Sequence, residues 1–546
     1  MANAEPILLE DDDIRRFIAD GFLMLHAGLT PEFHAEVAEE LAFSMKYEMP
    51  PAGDNVVARI PELARLMEAP IVNGAMISLL GENFVWSPHR ATHNSEPLEG
   101  RLADYDPFAN GPKMGKGSLS GSGWHQDGHS IAGRSRWHTP RATNMFYFPH
   151  DTPLEMGPTR LLAGSHWYAN LRQLVREQLV YEAIPAGTVV ITDFDMGHGG
   201  TPNFSTTSRY MVKFIGLRQE TPIRPSWNNS ESTWVLPRGL RNPAPVSEAC
   251  TAVWNWMRGE PRTAGITDCN KPTVALIDAL NGSDQNERLQ AIYTLAARGE
   301  TVVDNVRDKL LTSAGLDRHL SPAEDDIAYY GYSEDMSLRH FSHRQFVPED
   351  ATLVLSAMGE AAVPTLDQLI EHEDPWIRIN AAYAFGELGP SVAGQYADKV
   401  GALLDEPFGT VVRAAIDALC SLTTFGESTA ARLCHVIEGV DVPADWEEPI
   451  MGESWTTLNQ VRFVSCWALL ARITAGDPPP CTEAALVAAL DETNGYIPAA
   501  ACEGLRRLAT PSALDAAVSY LSSHRFDHAH NARMRHLVSR FSKRAS

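Results

Sequence analysis

The sequence predicts a multidomain α and β protein, with a closed β-structure in its N-terminal half and a helical array in its C-terminal half. Three observations carry this. At 546 residues the chain is too long for one ordinary core. Before about residue 240, runs of β-branched and aromatic residues alternate with turn signals, as at 22–25, 142–148, 188–191 and 209–215. Beyond it the strand patterns stop, and short apolar-periodic segments recur between Gly, Pro, Asp and Asn. The division expected from this is 1–240 and 241–546.

Composition narrows the class further. A hydrophobic fraction of 44% and a charged fraction of 21% are those of a folded globular chain. A formal charge of −24 excludes the basic footprint of a nucleic-acid surface and disfavours anionic membranes. The N-terminal stretch is acidic (Glu5, then residues 10–13) with no basic-then-apolar leader, and no apolar run reaches membrane-spanning length. The expected location is therefore the cytoplasm. All seven cysteines lie at 250 or beyond, without C-x-x-C spacing, and are expected as small core residues, not a disulfide framework.

In chain order, Asp12 or Asp13 can cap a first helix with Ile14, Phe17 and Ile18 on its apolar side and Gly21 as its stop. Residues 22–25 are a strand. Thr30-Pro31 opens a second helix, with proline at the first helical position and Val37 and Leu41 inside. Residues 61–80 continue as helix. Residues 81–123 are rich in Gly, Pro, Ser and Asn and are expected as a long loop forming one wall of a site.

That loop leads into Gly123-Trp-His-Gln-Asp-Gly128, the stretch with the most chemistry in it. On a strand, residues i and i+2 point to one side, so His125 and Asp127 can converge on one ion while Gln126 faces away. A third ligand must come from another strand, and His198, in a Gly-rich loop after the 188–191 strand, supplies it. Two neutral imidazoles and one carboxylate on one face of a metal suit non-haem Fe(II) and leave positions open. Arg209 opens the next strand and can fork onto a carboxylate. Arg134, Arg136 and Arg141 lie within reach of a pocket mouth, where they can meet an anionic substrate; as surface counter-charges in an acidic protein they need no such role, and that reading is slightly preferred. Trp124 is a pocket wall or core packing, with nothing to choose between them. His129, His138, His150 and His166 are expected as turn or supporting residues, since a catalytic iron keeps its other positions free.

Taken together, these motifs resemble the phytanoyl-CoA dioxygenase-like branch of the Fe(II)/2-oxoglutarate oxygenases over residues 7–222. The opening segment from Asp13 to Leu25 is similar to that family's first helix, glycine and strand. Met156-Gly-Pro-Thr-Arg160 and Ala163-Gly-Ser-His166 resemble its Gly-Pro turn and Pro-Gly-Ser-His loop. The resemblance implies a double-stranded β-helix (a jelly-roll, cupin-like fold) and iron held by His125, Asp127 and His198. It further implies Arg209 on the distal carboxylate of 2-oxoglutarate, with O2 as second cosubstrate and succinate as product. Two positions depart from the pattern: Ala163 stands where the family usually has proline, and Gly200 replaces a common hydroxyl residue. The second leaves one 2-oxoglutarate contact unassigned. Lys213 and Arg218 are next in line should Arg209 not bind the cosubstrate.

In the C-terminal half, residues 369–388 align with 403–419, placing Arg378 and Arg413 35 residues apart, each followed closely by alanines. Similar blocks begin at Leu276 and Leu486. The pattern resembles HEAT repeats, an α-helical solenoid of paired helices. It offers a surface for a protein partner or for self-association. The His-rich tail from His524 onward is expected as a solvated basic end, not a site. Three functions follow: a hydroxylase acting on a small molecule, which is preferred; a related halogenase, disfavoured because Asp127 fills the position a halide needs; and a non-catalytic HEAT-like scaffold with a vestigial barrel.

Overall fold

The computed structural model describes residues 4–48, 55–109, 123–127, 134–135, 137–169, 171, 175–319, 339–341, 345–440, 442–451 and 455–524. The helix Asp11–Asp20 starts two or three residues earlier than a cap at Asp12 or Asp13 would place it. Glu10 is its cap, and Asp13 turns its carboxylate back to accept from the Glu10 N–H at 3.1 Å. Asp11 is buried instead of solvated. It accepts from Trp227 Nε1 at 2.7 Å, from Asn229 Nδ2 and Ser230 Oγ at 2.8 Å, and from the Ser230 and Glu231 N–H groups at 2.9 Å. Burial opposes its charge, but these donors win and hold its pKa down to about 2. Asp11→Ala is expected to cost about 2 kcal/mol. The contribution is present above the ordinary carboxylate pKa and fades as pH falls toward 2. Denaturant unfolding of both proteins at pH 7 and pH 3 checks this, and an equal gap at the two pH values would contradict it.

Nine strands occur in the N-terminal half among the described residues: β1 (Phe22–His26), β2 (Val85–Ser95), β3 (Arg134–Ser135), β4 (Ala142–Phe148), β5 (Arg160–Leu162), β6 (Leu179–Val180), β7 (Thr188–Asp193), β8 (His198–Gly199) and β9 (Arg209–Leu217). An antiparallel sheet runs β1-β7-β4-β9-β2, and a second sheet runs β6-β5-β8. Side chains of both meet in one apolar cluster that includes Phe146, Phe148, Leu161, Val180, Val190 and Met211. Two expectations are corrected here. The stretch 61–80 is two helices, Leu63–Met67 and Pro70–Leu80, because Pro70 can only begin the second. The stretch 81–123 is not all loop: it contains β2, whose period-2 pattern is broken by Pro88 and by a register shift between Trp86 and Arg90.

The C-terminal half is helical. Helices Ser247–Met257, Gln285–Arg298, Asp350–Ala357, Pro375–Leu388, Gly409–Leu419, Thr457–Thr474 and Tyr496–Leu508 pack each against the next. A second set lies behind them. Small residues set the approach: a Cβ on Gly386 would stand 2.8 Å from Ala418 Cα of the neighbouring helix. Strand structure does not end at 240, because β10 (His340–Phe341) and β11 (Gln345–Val347) pair together, and β11 pairs in parallel with β3. The two halves are joined elsewhere too. His138 Nδ1 meets Tyr293 Oη at 2.9 Å, Tyr168 Oη donates to Asn286 at 2.9 Å, and His89 Nδ1 meets Tyr496 Oη at 2.8 Å. The seven cysteines are free, and all are buried or half-buried. Among the described residues, no helix is long and apolar enough to cross a membrane.

Candidate metal centre

His125 and Asp127 do not lie in a regular strand. His125 forms a single antiparallel bridge to His198, its N–H donating to the His198 carbonyl at 3.0 Å and the reverse at 2.9 Å. The bridge sets the two rings side by side with centroids 4.4 Å apart. Asp127 then returns to the same side, with Oδ1 3.9 Å from His125 Nε2 and Oδ2 3.6 Å from His198 Nε2. Donor atoms of His125, Asp127 and His198 thus lie within 4.8 Å of one another. Three ligands on one face of a metal, at bonds of about 2.1 Å, stand roughly 3 Å apart, so small rotations close the set.

The backbone prepares the histidines for this. His125 Nδ1 donates to the Gly123 carbonyl at 3.0 Å and His198 Nδ1 to the Met196 carbonyl at 2.9 Å, which turns both Nε2 lone pairs toward Asp127. Burial, reinforced by the adjacent His125 ring, lowers the His198 pKa to about 3, so the imidazole is in its ligating form. Gln126 faces away, as alternation requires. Its Nε2 donates to the carbonyls of Ser165, Tyr168 and Asp195 at 3.1, 2.9 and 3.0 Å, stapling the ligand pair to two loops. Ser165 Oγ accepts from the Gly197 N–H at 2.7 Å, one residue before the third ligand.

Burial by itself would raise the Asp127 carboxyl, but Lys213 and the two imidazoles hold it well below its ordinary value. Its Oδ2 accepts from Asn144 Nδ2 at 2.9 Å and from the Lys213 ammonium, leaving Oδ1 toward His125. Sequence reasoning did not single out Asn144, and placed Lys213 only as a reserve cosubstrate residue. Parity held the clue for Lys213, since residues 209, 211 and 213 of one strand share a face. Arg209 itself is 4% exposed. Its Nη1 donates to the Gly157 carbonyl at 2.6 Å, and its Nε has no partner among the described residues. Burial lowers its pKa to about 10. Gly157 is required where it stands: at φ +71°, a Cβ would meet the Pro202 carbonyl oxygen at 2.4 Å.

The other expected residues are placed as follows. Trp124 lies on the side opposite its neighbour His125, in a separate cluster with Leu162 and Leu171, under the Arg160 guanidinium at 4.1 Å. It is core packing. Arg141, expected at a pocket mouth or, by slight preference, as a surface counter-charge, is instead buried at the seam with the helical half, where it pairs with the buried Glu387 at 2.5 Å. Arg218 also lies at the seam, over the Trp256 ring at 5.0 Å. Arg136 and the Arg134 side chain lie outside the described residues, as do His129 and the tail beyond His524. His166 Nε2 meets the Ile18 carbonyl at 3.1 Å and His150 Nε2 accepts from the Tyr210 N–H at 3.0 Å, both supporting roles.

The His/Asp/His triplet, with an arginine on the same strand as Lys213 whose Nε is unpartnered among the described residues, could hold a metal ion. Residues 52–211, which hold all four of these side chains, match the family model of phytanoyl-CoA dioxygenase, and residues 362–392 match that of the HEAT repeat. The likeness to these families is thus confined to those two stretches of the 546-residue chain. Among solved structures, the chain is similar to the non-heme monooxygenase ThoJ as its nickel complex (20% identity, 42% of this chain and 84% of that one, TM-score 0.28). It is also similar to the non-heme alpha ketoglutarate dependent carbocyclase SnoK from nogalamycin biosynthesis (16%, 43% and 91%, TM-score 0.29). A third is EctD from S. alaskensis with 2-oxoglutarate and 5-hydroxyectoine (17%, 45% and 89%, TM-score 0.30). No curated protein matches the chain.

Proposed function

We propose that this chain is a non-haem Fe(II)/2-oxoglutarate-dependent dioxygenase that hydroxylates a small molecule. In this reading residues 1–240 form a double-stranded β-helix, its two sheets closing over their shared core, and residues 241–546 form a HEAT-like solenoid packed against it. The observation that carries the reading is the convergence of three donor atoms beside a buried arginine that lacks an anionic partner among the described residues. Iron bound there, with 2-oxoglutarate and O2, supplies the oxidation and yields succinate. The chain's own residues supply geometry. His125 and His198 offer Nε2 and Asp127 offers Oδ1. Asn144 and Lys213 grip Oδ2 and so fix the carboxylate's rotation. Arg209 receives the far carboxylate of the cosubstrate as a charge-assisted pair in a site that excludes water.

Arg209→Ala is expected to leave metal affinity nearly intact while raising the KM for 2-oxoglutarate by tens to hundreds of fold, or about 2–4 kcal/mol. Succinate formation against 2-oxoglutarate concentration measures it, and an unchanged KM would move the assignment to another cation. The rival reading, a HEAT-like scaffold with an inert barrel, predicts no visible charge-transfer band on anaerobic titration with Fe(II) and 2-oxoglutarate. The complete donor set favours the enzyme.

A further inference from the structure

We propose that the seam between the two halves holds a second binding site, for a short aliphatic carboxylate. The proposal goes beyond the oxygenase reading and does not depend on it, because none of His125, Asp127, His198 and Arg209 lines the cavity concerned. That cavity has a volume of about 80 Å³ and is bordered by both halves. One water needs roughly 10–15 Å³, so the space takes a ligand of a few heavy atoms. Its walls are largely apolar. Phe194, Ile215 and Leu217 come from the β-rich half, and Phe463, Val464 and Trp467 from the helix Thr457–Thr474. Small-molecule sites occur preferentially between domains, where apolar walls surround a few converging polar groups.

Three polar groups on these walls lack the partner their chemistry calls for. Arg218 donates from Nε to the Pro140 carbonyl at 3.1 Å and from Nη2 to the Leu79 carbonyl at 2.6 Å, and no carboxylate pairs with it among the described residues. Burial, and next the neighbouring Arg141, lower its pKa to about 9, and Glu220 offsets them only in part. Trp467 is 7% exposed, and its Nε1 has no acceptor among the described residues. Thr221 Oγ1, beside Gly389 of the helical half, is likewise unpartnered among them. Buried donors left unmade are costly, and a buried cation without a counter-ion more so. One carboxylate answers all three needs, as an anion for Arg218 and an acceptor for both donors. The other charges on the walls are already committed. Arg141 is paired with Glu387, Glu220 is exposed and accepts from Asn83 Nδ2 at 2.8 Å, and Asp417 has interactions of its own. The apolar walls select a short hydrocarbon tail over a bare inorganic anion.

Butyrate is the probe. It is titrated into full-length, metal-free protein, and saturation transfer from the protein to its methyl protons is followed by NMR. The expected result is saturable binding, with butylamine and 1-butanol weaker by at least about ten-fold and inorganic phosphate unable to displace butyrate at equal concentration. Arg218→Met should weaken butyrate binding about ten- to hundred-fold. Trp467→Phe keeps an aromatic ring, removes only the donor and should weaken it several-fold. It also decides the matter if Arg218→Met does not fold. Arg209→Ala should bind butyrate as the wild type does, which separates this site from the one proposed for the cosubstrate. Absence of saturable binding would overturn the proposal, as would equal binding of butylamine or displacement by phosphate. So would a folded Arg218→Met or Trp467→Phe protein that binds butyrate like the wild type, or loss of binding in Arg209→Ala. Because binding is read without metal or turnover, failure here is distinct from failure of the succinate measurements.

Discussion

Asp127→Ala is expected to abolish coupled succinate formation. The carboxylate is the one anionic donor in the triplet, with Oδ1 3.9 Å from His125 Nε2. Loss of a supporting partner typically costs 10–100-fold in metal affinity, and loss of the ligand itself should exceed about 100-fold. A second effect comes from Lys213, whose ammonium is buried against Asp127 and would lose its counter-ion. The folded yield should therefore fall together with metal content. Two measurements separate the causes: metal bound per chain in the folded fraction, and succinate released per bound metal. Near-normal turnover by folded Asp127→Ala would show that the metal ligand lies elsewhere.

Much of this site was legible in the sequence because its pieces are local. The His-x-Asp pair, the distant histidine and the arginine at a strand start each carry a short-range signal, and the structure brings the pair and the distant histidine together. What was not legible depends on packing. Asn144 looks like any polar residue on a buried strand until the fold sets it 2.9 Å from Asp127. β2 was hidden by Pro88 and by a composition typical of loops. Arg141 shows the opposite failure. It is a cation near the ligands in sequence, but whether it faces a mouth or a seam depends on Glu387, 246 residues away. No local pattern reports such a pairing. The paired helices were legible through their 35-residue period, while the surface they bury against the β-rich half carries no periodic signature.

That seam yields the largest stability effect we expect. Glu387 is buried and accepts from Arg141 Nε at 2.5 Å, Arg262 Nη2 at 2.9 Å and Thr139 Oγ1 at 3.3 Å. Burial by itself would raise its pKa, but Arg141 and Arg262 prevail and hold it below the ordinary value, so the group is a carboxylate between two guanidinium ions. Arg141 is further held by Ser421 Oγ at 2.8 Å, and both arginines stack on Trp256, at 5.3 and 5.9 Å. Removing one member of a buried ion network leaves the others uncompensated, which typically costs 3–5 kcal/mol. Glu387→Ala should therefore lower the first denaturant transition by about that amount. Glu387→Gln, which keeps the shape but not the charge, should recover only part of it. Asp104→Ala is the control, because its ion pair with Arg101 is exposed and worth little. The seam also reaches the ligands through Trp137: its N–H donates to Asp195, whose carbonyl accepts from Gln126, the residue between the first two ligands. Nickel affinity measured on folded Glu387→Ala separates the two roles of the helical half. A weakened affinity means that it holds the ligand pair in place, and an unchanged one means that it contributes stability alone. A Glu387→Gln protein that unfolds at the same denaturant concentration as Asp104→Ala would show that the network is not what joins the halves.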